Sequence, residues 1–101
     1  MESHVMETVT FRLVADSDAG MFERAARDMA GWLKGRPGFV ARRLSCGADG
    51  LWIEQIEWTD MAAAKAAAAE IGHASEVAPF VQAINGQSVV LHHSDIRVAL
   101  G

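Results

Sequence analysis

Two tryptophans six residues apart, Trp52 and Trp58, bound the run Trp-Ile-Glu-Gln-Ile-Glu-Trp. In an extended strand alternate side chains share a face, so both indoles project to one side and could flank a planar aromatic compound. Core or interface packing is the commoner use of such residues. His73 follows Gly72 at a break in helical pattern, where an imidazole can act as a general base near neutral pH; a solvated loop histidine is the plainer alternative. Arg12 supplies a guanidinium suited to a carboxylate or phenolate. His92 and His93 are adjacent on a strand and point to opposite faces, which rules out joint chelation of one ion within a chain. His93 shares its side with Asp95 and Arg97, a set better suited to a salt-bridged rim than to a metal, and no metal site is expected. Arg42, Arg43, Glu54 and Glu57 are explained by cross-strand ion pairs, and Cys46 has no cationic neighbour in sequence that would activate a thiol.

Four strands and two helices must position these groups. Thr8 to Ala15 alternates Val9, Phe11, Leu13 and Ala15 with Thr8, Thr10, Arg12 and Val14, predicting a first strand. Asp16-Ser17-Asp18 offers capping oxygens to a helix from about Asp18 to Lys34, with Trp32 on its apolar face, and Gly35-Arg36-Pro37-Gly38 stops it. Phe39–Cys46 and Leu51–Trp58 read as strands joined by Gly47-Ala48-Asp49-Gly50, a hairpin signal. Asp60 caps an alanine-rich helix from Met61 to Ile71. The pattern breaks around Gly72 to Ser75 and resumes with Val77, Phe80, Val81 and Ile84 until Gly86. Ser88 to Leu100 is a fourth strand. The order βαββαβ predicts an α+β, ferredoxin-like domain, with a four-stranded antiparallel sheet and two helices on one face.

The chain has 101 residues, half of them apolar and 22% charged, enough for one domain over residues 8–100 behind a tail at residues 1–7. A formal net charge of -4 with scattered basic residues argues against nucleic-acid binding. A single cysteine forms no internal disulfide, no apolar run approaches the roughly 18 residues of a membrane span, and no signal segment is visible, so a cytoplasmic protein is expected. Two helices cover only one sheet face. Ile53, and part of the set Val89, Val90, Leu91, Ile96 and Val98, would then need another cover, which predicts a sheet-to-sheet homodimer.

Pro37-Gly38-Phe39, the Trp52-Ile53-Glu54 to Glu57-Trp58 strand, the Asp60-capped helix and His93-Ser94-Asp95 resemble the antibiotic-biosynthesis-monooxygenase-like branch of the dimeric α+β barrel proteins, over about Thr8 to Val98. The resemblance implies a barrel formed across a dimer and a pocket between sheet and helices in each subunit. It further implies a small apolar or aromatic ligand, and oxygenation of an activated phenol-like compound without a tightly bound cofactor. Phe11, Trp32, Trp52 and Trp58 would shape the pocket, with His73 or Arg12 handling the anion. The Asn that relatives place on the first strand is missing: Thr8, Thr10 and Arg12 stand there, and the chain's only Asn is Asn85. Haem-degrading relatives pair an axial His with a Trp, and none accompanies His73. A non-catalytic ligand-binding or stress-associated barrel, and an isomerase or lactone-forming enzyme of the same superfamily, are the alternatives.

Overall fold

The computed structural model describes residues 3–101. Strands β1 (Val5–Phe11), β2 (Phe39–Cys46), β3 (Trp52–Trp58) and β4 (Val90–Asp95) form one antiparallel sheet in the order β2-β3-β1-β4. This is the expected ferredoxin-like topology. The first strand starts earlier than its Thr8 estimate, because the inward alternation of Val9 and Phe11 continues upstream through Glu7 and Val5. Val5 is 1% exposed and pairs with Trp58 on one side and Asp95 on the other. The tail thus ends before Val5, and Met1 and Glu2 lie outside the described residues. The strand stops at Phe11 because the Arg12 N–H donates to Ser88 Oγ at 2.8 Å and leaves the ladder. β4 is shorter than expected: Gly86–Ser88 forms a 3-10 turn, and Val98 and Leu100 beyond its end are exposed.

Each expected helix is in two pieces. The first comprises α1 (Ala19–Asp28) and α2 (Ala30–Lys34), capped by Asp18 Oδ1, which accepts from the Met21 N–H at 3.0 Å. Its interruption at Met29 was not foreseen. Arg42 Nη1 donates to the Ala26 carbonyl at 2.7 Å, taking the acceptor that a continuous helix would offer to Ala30. The second comprises α3 (Met61–Ile71), capped by Asp60 Oδ1 on the Ala63 N–H at 2.8 Å, and α4 (Ala78–Gln82), which follows a 3-10 turn at Ser75–Val77. Gly38, with φ of 83°, brings the start of β2 against α3 so closely that an added Cβ would stand 2.5 Å from Ala63 Cβ and 2.6 Å from Thr59 Oγ1. Only glycine meets both demands.

The register decides which residues meet the helices. Trp52, Glu54, Ile56 and Trp58 are all buried on the helix side, opposite Phe11, Val9, Glu7 and Val5 of β1. The far face carries Met6, Thr8 and Thr10 of β1, Ile53, Gln55 and Glu57 of β3, and Val90, His92 and Ser94 of β4. It is mixed, which corrects the expectation that the apolar surplus collects there. The large apolar side chains of β3 are spent under the helices, while Val89, just before edge strand β4, and Leu91, on its helix side, stay 40% and 48% exposed because the helices do not reach over them.

Candidate functional site

Between the sheet and the helices lies a cavity of two adjoining lobes, of about 220 and 250 Å³, which share Glu7, Val9, Ile56, Ile71 and Val89 as walls. The first lobe is closed by Trp32, Leu33 and Trp58 with Ala67 and Ala68 of α3, and the second by Phe11, Glu54, Phe80, Val81 and Ile84. Alanines on α3 keep that helix slim over the sheet, so the residues chosen for helix propensity also leave the space. Half-exposed Val89 and Leu91 place the mouth on the β4 side. A larger groove, about 470 Å³, runs along edge strand β2 between Glu23, Arg27 and Lys34. It reaches Arg42 and shares Leu33 with the first lobe, but neither Glu7 nor Glu54 lines it.

Strand pairing sets four polar residues in a diagonal across the helix side of the sheet: Arg42 on β2, Glu54 on β3, Glu7 on β1 and His93 on β4. Arg42 stands opposite Ile56, Glu54 opposite Val9, and Glu7 opposite both Ile56 and His93. Glu54 is 5% exposed and held by Arg42, whose Nε donates to Oε1 and whose Nη2 donates to Oε2 at 3.3 Å. The same guanidinium lies over the Phe80 ring at 5.2 Å. Burial pushes the Glu54 carboxyl up from its ordinary value against the pull of Arg42, and the neighbouring Glu7 charge adds to the upward push. Glu7 Oε1 accepts from Trp58 Nε1 at 2.8 Å. Among the described residues no donor reaches Glu7 Oε2, and His93 Nε2 is buried without a hydrogen-bond partner.

The structure brings three of the six sequence candidates to this cavity. Trp32 and Trp58 line the first lobe and Phe11 the second. The Trp32 indole is braced by the Arg36 guanidinium 4.7 Å above it, itself paired with Glu70 of α3. Trp52, though on the same side as Trp58, lines neither lobe and packs edge-on against Phe22 at 4.9 Å. Arg12 is turned to the hairpin, where Nη1 donates to the Asp49 carbonyl at 2.8 Å; the Leu51 N–H, and behind it the Arg12 guanidinium, hold the Asp49 carboxyl below its ordinary value. His73 is exposed at the end of α3 and lines neither lobe. Glu7 was missed because the strand was started one residue too late to include it. The available signal was a carboxylate at an inward position on each of two strands: Glu7 between Val5 and Val9, and Glu54 between Trp52 and Ile56.

The chain has the fold of solved structures assigned as antibiotic biosynthesis monooxygenases. It is similar to SnoaB, a cofactor-independent oxygenase from Streptomyces nogalater, at 20% identity over 97% of both chains with a TM-score of 0.76. A structure from Caulobacter crescentus, provisionally assigned as an antibiotic biosynthesis monooxygenase, matches at 19% identity over 94% of this chain and 91% of that one, with a TM-score of 0.71. A third, of the same provisional assignment, from Nitrosomonas europaea, matches at 11% identity over 100% and 97%, with a TM-score of 0.73. No family model and no curated protein matches the sequence. Among the described residues no helix is long and apolar enough to cross a membrane.

Proposed function

We propose that the protein binds a small aromatic compound in the sheet–helix cavity and oxygenates it without a tightly bound cofactor. The observation that carries this reading is the cavity itself, apolar and ring-lined, with Glu7 as a lining carboxylate that has an oxygen free to accept the ligand's hydrogen bond or proton. Trp32 and Trp58 then hold the ring in the first lobe and Phe11 walls the second. The likeness to a cofactor-independent oxygenase supports the chemistry. Oxygen consumption with hydroxyquinone-type compounds tests it, and Glu7→Gln is expected to lower the rate at least about tenfold. A second reading, a binding protein without catalysis, is favoured by the placement of His73 and Arg12 away from the cavity. Ligand-induced thermal shifts without oxygen uptake by any compound would establish it and sink the oxygenase reading.

We further infer a homodimer in which the far faces of two sheets meet, because Met6, Ile53 and Val90 lie there among half-buried threonines and the helices cover only the other side. Sedimentation at micromolar concentration is expected to give twice the mass of 10.9 kDa. Arginine in place of Thr8 at the centre of that face is expected to yield monomers, and an unchanged dimer would move the interface elsewhere.

A further inference from the structure

We propose that the cavity selects a ligand with a positively charged amine head on a ring-bearing apolar body, and disfavours carboxylates. This rests on the reading of the cavity as the binding site but not on the oxygenation. Glu7 and Glu54 are the ionisable side chains that line the two lobes, and no Lys, Arg or His is among the lining residues.

Their charges are not equally available. The Arg42 guanidinium is committed to both oxygens of Glu54, to the Ala26 carbonyl and to the face of Phe80, so that pair is closed on itself. Among the described residues Glu7 has only the neutral indole N–H of Trp58, on one of its two oxygens, and the Nε2 of its cross-strand neighbour His93 makes no hydrogen bond. A ligand carboxylate there would meet a like charge in low dielectric and find no cation to pair with. A ligand ammonium would pair with Glu7, the wall carboxylate common to both lobes. The apolar body then fills the first lobe between Trp32 and Trp58. Charge and ring placement therefore orient the ligand as well as select it.

Three probes of the same shape separate the cases: naphthylmethylamine, naphthylmethanol and naphthoate, titrated calorimetrically against the full chain at neutral pH. The amine is expected to bind at least about tenfold more tightly than the alcohol, with the carboxylate weakest. In Glu7→Gln, an isosteric change, the amine's advantage over the alcohol is expected to fall below about threefold, with the alcohol little affected. Equal or tighter binding of the alcohol or the carboxylate to the unaltered chain would overturn the charge selection, as would an advantage that survives Glu7→Gln. The unaltered chain decides the order of affinities even where the variant folds poorly. Failure of all three to bind is a different result: it removes the cavity as a binding site for such compounds and the inference with it.

Discussion

Arg42→Met is expected to destabilise the protein by about 3–5 kcal/mol at neutral pH, a fall of more than about 12 °C in Tm for a domain of this size. Three contacts are lost together. Glu54 is left as a buried charge without its guanidinium, the Ala26 carbonyl loses its donor, and the stacking over Phe80 disappears. The first of these dominates, because solvation of the carboxylate is not restored when its partner goes. The double variant Arg42→Met with Glu54→Met is expected to recover most of the loss, since two apolar side chains of similar size replace the pair. Sign and pH follow from the upward displacement of the Glu54 carboxyl. A carboxyl raised in the folded state binds more protons folded than unfolded, so its contribution is full below the unfolded pKa and is lost as pH rises through the folded one. Removing Arg42 takes away the opposing pull and widens that window. The variant's deficit, measured by urea unfolding, is therefore expected to shrink from pH 7 toward pH 5, and a deficit that grew on acidification would contradict this account.

Trp58→Ala is expected to cost about 3–5 kcal/mol. Trp58 is 1% exposed, packs edge-on against Phe39 at 5.9 Å, and forms one wall of the first lobe, so truncation enlarges an existing cavity that its neighbours cannot close. Trp58→Phe isolates a second effect. It keeps a ring but removes the N–H that holds Glu7, and is expected to cost about 1–2 kcal/mol by urea midpoint. If the two variants were equally stable, Trp58 would contribute by its indole N–H and not by its bulk.

The fold was legible because its signals are local. Asp18 and Asp60 cap where a side-chain oxygen precedes helical pattern, and Phe39–Cys46 and Met61–Ile71 have the bounds their patterns predict. The site was legible only in its apolar walls. Trp32, Trp58 and Phe11 announce themselves by size and periodicity. Trp52 satisfies the same periodicity as Trp58 and is set apart by Phe22, thirty positions away in sequence, which packs against its ring nearly at right angles. The diagonal of Arg42, Glu54, Glu7 and His93 depends on register across three strand pairs, information that no single strand contains. The break at Met29 has the same origin: its cause is an arginine on another element.

The strand register also limits how the gene can change length. Glu7, Val9 and Phe11 reach the cavity because they share odd parity on β1, and one residue inserted among them would send Glu7 to the far face. At the sheet's edge β2 absorbs such an extra residue as a bulge between Phe39 and Ala41. Strand β1 is held on both sides, by β3 and by β4, and a bulge there would break two ladders at once. Insertions and deletions are thus open to the hairpin at residues 47–50, while in β1 only changes by an even count of residues would leave the carboxylate facing the cavity.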